Sequence, residues 1–123
     1  MEDYDPNKRY FGPQGSQLCK VIPEYPPTVP QLKGVFNRSG YNHDKGYTGK
    51  RRKGFFGWLK DAWERWGIDD RFLEDMQLGI EAALMSGEIT EDQAEIAHAY
   101  AKLAHKSVRA AGWTFFRTGE EDA

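Results

Sequence analysis

The sequence predicts a small, mainly α-helical domain built on an antiparallel helix pair and preceded by an irregular, proline-rich arm. Three observations carry this. All six prolines lie between Pro6 and Pro30, and a ring-locked residue without an N–H is tolerated in neither a helix interior nor a central strand. From residue 34 onward, apolar residues recur at steps of three and four instead of alternating. Thr90-Glu91-Asp92-Gln93 is a capping box, in which threonine and glutamine satisfy each other's backbone N–H groups at a helix start. At 123 residues one domain is expected, with an extended arm over 1–33, a helical body over 34–116 and an acidic tail over 117–123.

Within the arm, a short strand is expected at Leu18–Ile22 and a turn at Tyr10–Gly15, where glycine lets backbone carbonyls turn toward a cation. Gly34–Gly40 is a second loop candidate. A helical turn over 42–47 would put His43 and Tyr47 on one face, with Asp44 about a third of a turn away. Gly40, Gly46 and Gly49 each weaken a helix by roughly 0.5–1 kcal/mol relative to Ala, so this one should be short and held by packing. Gly49–Gly54, with Lys50, Arg51, Arg52 and Lys53, is a solvated basic turn.

Residues 55–66 form a ring-rich helix whose three-four spacing marks Phe55, Trp58 or Leu59, Ala62 and Trp66 as a buried face. Phe56 and Trp63 share another flank. Two readings stand together: the rings are the core of a domain poor in aliphatic residues, or this is an interfacial helix whose rings enter a lipid surface beside Lys50–Lys53. Gly67 should end the helix. The next begins at Ile68 or Asp69, runs to Ser86 and is closed by Gly87, with Phe72, Leu73, Met76, Ile80, Ala83 and Leu84 as its apolar stripe. Asp69 is in phase with that stripe and Asp70 lies beside it, so Asp69 is either a cap or a buried partner. From Thr90 a last helix should reach Ala111, with Gly112 as its stop, and its stripe Ala94, Ala97, Ala101, Ala104, Val108, Ala111 permits close antiparallel packing on the preceding helix. His98 and His105 flank this stripe without a third metal ligand in view. Trp113, Phe115 and Phe116 should cover one end of the bundle.

The net charge of −2 argues against a globally basic nucleic-acid binder, although Lys45, Lys50–Lys53, Lys60 and Arg65 stand against only Asp61 and Glu64 in that stretch. Nucleic acid is the least favoured partner. Cys19 is alone, so a disulfide scaffold is excluded, and the N-terminus has no signal-peptide pattern. These features point to the cytosol or a virus particle, with any membrane contact peripheral. There is no Gly-x-Ser-x-Gly elbow, no activated cysteine and no glycine-rich phosphate loop.

His43 can act as a general base if a carboxylate takes the proton of one ring nitrogen and leaves the other free; Asp69 is the candidate. The pattern His43-Asp44-Lys45-Gly46-Tyr47, followed by Ile68-Asp69-Asp70-Arg71-Phe72-Leu73, resembles phospholipase A2, especially its disulfide-free viral, phage and bacterial members. The resemblance implies that His43 activates water, that Asp44 binds calcium, and that Asp69 and Tyr47 hold the imidazole. It also implies that Tyr10–Gly15 stands where the family has its calcium loop, which would give Gly12 and Gly15 as carbonyl ligands. The expected function is calcium-assisted hydrolysis of a phospholipid ester, with Lys50, Arg51, Arg52, Lys53, Phe56, Trp58 and Trp63 meeting the membrane. The alternative is a catalytically silent relative that serves as an interaction or virion-structural protein with other virion proteins as partners.

Overall fold

The computed structural model describes residues 3–8, 10 and 23–117. The protein is mainly helical: a 3-10 turn at Pro30–Leu32 leads into α1 (Lys33–Tyr47), α2 (Gly54–Met85) and α3 (Glu91–Phe115), with no strand among the described residues. Pro30 opens the 3-10 turn, where its missing N–H costs nothing. The Gly34–Gly40 loop expectation is corrected: this segment is helical, and α1 extends over 15 residues. Its length is explained by burial of Phe36, Asn37, Ser39, Gly40, His43 and Tyr47 on one face, which offsets the glycine cost. Thr48 ends α1, its hydroxyl donating to the Asp44 carbonyl at 3.1 Å, and Gly49 continues at φ 130°.

The expected break at Gly67 does not occur. α2 is one helix of 32 residues, a rod of about 48 Å. Gly67 lies on an exposed face, whereas Arg65 and Asp69 on either side of it are buried and paired across it at 3.3 Å. Tertiary contacts thus override a propensity penalty of about 1 kcal/mol. The far end follows expectation as a Schellman motif: Gly87 at φ 81° donates to the Leu84 carbonyl, and Glu88 to that of Ala83. The Thr90–Gln93 capping box is formed in both directions, at 3.1 and 3.0 Å.

α2 is the central helix. α1 runs antiparallel to it, with Gly79 closely covered by Val35 at one end and Gly46 by Ile68 at the other. α3 also runs antiparallel, placing His98 on Glu81 and His105 on Asp70, each at 3.0 Å. The predicted stripes meet: Phe72, Met76, Ile80 and Ala83 of α2 pack with Ala94, Ala97, Ala101, Ala104 and Val108 of α3, closed by Phe36, Leu32 and Val29. α3 does not stop at Gly112 but continues to Phe115, because Gly112 is a packing residue and not a terminator. Phe116 is buried, whereas Trp113 is only half-buried.

The described part of the arm is bound to α1. Asn37 accepts from the Tyr4 hydroxyl at 2.5 Å and donates to the Lys8 carbonyl and Glu24. Tyr10 is buried against Tyr4 and Tyr41. The predicted strand at Leu18–Ile22, Cys19 and the Gly12 and Gly15 positions lie outside the described residues.

Candidate active site

The buried stripe of α2 changes character along its length. Toward the C-terminus it is apolar, from Phe72 to Ala83; toward the N-terminus the same stripe continues as Arg65 and Asp61, with Asp69 between the two halves. A buried carboxylate is tolerated only with compensating donors, and Asp69, which is fully buried, has four. His43 Nε2 lies 2.8 Å from Oδ1, and the Tyr47 hydroxyl donates to the same oxygen at 2.5 Å. Arg65 Nη1 and Arg109 Nε donate to Oδ2, both at 3.3 Å. Burial pushes the Asp69 carboxyl up, but hydrogen bonds from His43 and Tyr47 and the nearby positive charges outweigh it, and the net shift is downward. Burial, reinforced by the hydrogen bond to Asp69, pushes the Tyr47 phenol far up, so it stays a donor. Arg109 also pairs with Asp70 at 2.7 Å. Two guanidiniums therefore face two carboxylates.

Gly112 makes room for this constellation. A Cβ at that position would collide with the Tyr47 hydroxyl and come within 3.1 Å of Arg65 Nη1. Arg117 N donates to the Tyr47 carbonyl at 2.9 Å, anchoring the end of α3 on the end of α1. His43 contacts the rings of Tyr47 and Phe72, with centroids 4.2 and 4.8 Å away.

His43 is on the wall of an open cleft of about 540 Å³ between α1 and α2, shared with Gly46, Ile68, Phe72 and Arg71. Its second ring nitrogen has no protein partner among the described residues. Among the described residues, the buried side-chain atom lacking one is Arg65 Nε. One ring nitrogen of His43 is thus held by Asp69, and the side chain lines the cleft.

Asp44 is half-buried on the neighbouring edge of α1, and its side chain has no hydrogen-bond donor among the described residues. Burial raises its carboxyl to about 7, with Lys8 pulling the other way. It does not line the His43 cleft. Among the described residues no group of three or more His, Cys, Asp or Glu side chains is gathered to hold a metal. Asp44 has the carboxylate chemistry of a hard-cation ligand, a set that backbone carbonyl oxygens could complete.

The ring-rich half of α2 is turned outward. Phe56 is 82% and Trp63 78% exposed, and Phe55, Trp58, Leu59 and Trp66 are also open. This corrects the expected buried face, because Asp61 and Arg65 occupy it. Asp61 accepts from the Arg52 backbone N at 2.7 Å, and from Arg52 and Arg117 side chains at 2.6 and 3.2 Å. Burial raises the Asp61 carboxyl, but these donors leave it below the usual range. Of the four cations expected to face lipid, two are turned to the protein: Arg52 binds Asp61 and Glu64, while Arg51 donates to the Phe116 carbonyl and lies over Trp113. Lys50 and Lys53 remain exposed.

Apolar periodicity alone did not find Arg65, Arg109, Asp61 or Gly112. The available signal was the four-residue spacing of Asp61, Arg65 and Asp69, in phase with Phe72. In comparisons with known proteins, no family model, curated protein or solved structure matches the chain.

Proposed function

We propose that the protein hydrolyses a phospholipid ester at a membrane surface in the manner of a phospholipase A2. The observation that carries this reading is the buried His43–Asp69–Tyr47 constellation opening on a cleft. Asp69 accepts the Nε2 proton and fixes the tautomer, so the other nitrogen of His43 can take a proton from water. That water attacks the ester carbonyl. His43 then returns the proton to the departing alkoxide, and Asp69 stabilises the imidazolium between the two steps.

Calcium would be held by Asp44 with carbonyls of Gly12 and Gly15, and would supply positive charge for the oxyanion. Tyr10, directly before that segment, is buried against Tyr41, one helical turn from Asp44. The exposed rings of α2 with Lys50, Lys53 and Lys60 form the lipid-facing surface. No described helix is long and apolar enough to cross a membrane, so the contact is peripheral.

The decisive experiment is hydrolysis of phosphatidylglycerol vesicles with and without calcium. Release of fatty acid by the wild type, lost in His43→Ala and in Asp44→Ala, is the expected result; equal release by His43→Ala would refute it. A second reading, a non-catalytic docking protein, is favoured by the two arginines on Asp69, which make the cluster a self-sufficient structural device. It predicts no hydrolysis by the wild type and a large stability loss in Asp69→Asn.

A further inference from the structure

Arg71 differs from every other described arginine. Arg38 lies over the Tyr4 ring, Arg51 binds the end of α3, Arg52 and Arg117 bind Asp61 and Glu64, and Arg65 and Arg109 bind Asp69. Arg71 makes no hydrogen bond, ion pair or ring contact among the described residues. It interacts electrostatically with Asp75, a turn further along α2 and half-buried. Burial raises the Asp75 carboxyl against the pull of Arg71, which limits how far this neighbour neutralises the guanidinium.

Arg71 and Asp75 both line the cleft that contains His43. Phe72, Ile68, Gly46 and Gly67 give the cleft an apolar or bare wall, while its other polar lining is already paired, Asn42 with Asp75 and Arg117 with Glu64. A cleft that combines His43, apolar side chains and one guanidinium free of hydrogen bonds fits an ester that carries an anion a few atoms from its carbonyl. Guanidinium geometry matches two oxygens of a phosphate at once.

We infer that Arg71 is the substrate-selecting residue of this cleft and binds the phosphodiester of a phospholipid. The inference rests on the hydrolytic reading of His43 and names the substrate class for that site. Phosphate-bearing esters are preferred over neutral ones because only they place oxygens against Arg71. Arg71 is exposed, so Arg71→Gln leaves the core intact and its Tm unchanged.

The test uses monomeric dihexanoyl phosphatidylglycerol and the neutral ester dihexanoylglycerol. Arg71→Gln is expected to raise KM for the phospholipid roughly tenfold or more, leaving kcat and neutral-ester hydrolysis unaltered, with Arg71→Lys intermediate. Unchanged KM for the phospholipid would overturn the inference. Calorimetric binding of the same phospholipid to His43→Gln, with and without Arg71→Gln, separates the two claims. Binding lost with Arg71 supports the subsite even if the wild type hydrolyses nothing; binding indifferent to Arg71 refutes it. Inorganic phosphate provides the remaining arm: if it binds as tightly as the phospholipid, the site is one for free anions, and the lipid assignment fails.

Discussion

Gly112→Ala tests whether the interior of the candidate site is as tight as the geometry implies. By helix propensity alone, alanine in place of a mid-helix glycine should stabilise by about 0.5–1 kcal/mol. The new methyl would, however, collide with the Tyr47 hydroxyl and press on Arg65 Nη1 at 3.1 Å. Neither neighbour can yield cheaply, since Tyr47 donates to Asp69 at 2.5 Å and Arg65 donates to both Asp69 and the Arg109 carbonyl. Overpacking costs about 1–3 kcal/mol, and a weakened buried hydrogen bond adds about 1 kcal/mol. The net expectation is a loss of roughly 1–3 kcal/mol, or about 3–15 °C in Tm for a domain of this size. Gly67→Ala is the internal control, because its Cβ would meet nothing within 4 Å; it should gain about 0.5–1 kcal/mol. Urea unfolding of both variants against wild type decides the matter. A Gly112→Ala protein more stable than wild type would refute the packing argument, and with it the tight Tyr47–Asp69–Arg65 arrangement.

Other predictions follow from the same contacts. Asp69→Asn should destabilise by about 3–5 kcal/mol, because it leaves the buried Arg65 guanidinium without its carboxylate; chemical denaturation measures this. The Asp69 and Asp61 carboxyls are held below their ordinary value in the folded protein. Their stabilisation is therefore fully present above about pH 4 and is lost as pH falls through the lower folded value, so acid titration by circular dichroism should show cooperative unfolding there. Asp44 has the opposite sign: raised to about 7 in the fold, it opposes folding once ionised. Tm should rise as pH falls from 8 to 6, and Asp44→Asn should flatten that part of the profile. Trp63→Ala and Phe56→Ala remove exposed rings, so they should weaken partition onto anionic vesicles severalfold with no drop in Tm; sedimentation with liposomes measures the first and a thermal melt the second.

The fold was largely legible because helix signals are local. The Thr90 capping box, the Gly87 terminator and the stripe from Phe72 to Ala83 each depend on residues within a few positions of one another, and all stand where periodicity put them. The glycines misled at Gly67 and Gly112, and for different reasons. At Gly67 the helix continues because contacts on its buried side outweigh the local penalty. At Gly112 glycine is required by a neighbour distant in sequence.

Within the candidate site, the sequence by itself determined that His43 and Tyr47 would share a helical face and that Asp69 would be in phase with a buried stripe. Periodicity fixes direction around a helix axis, and direction is all those statements need. Tertiary structure alone decided that the two faces meet at 2.8 and 2.5 Å, that Arg65 and Arg109 take the other carboxylate oxygen, and that the rings of α2 point outward. Those outcomes depend on which helices pack together and how closely, and on the need to pair every charge that packing buries. An apolar stripe is expected to face inward only when nothing else must be there; in the first half of α2, Asp61 and Arg65 occupy the inside, and the tryptophans are left to solvent.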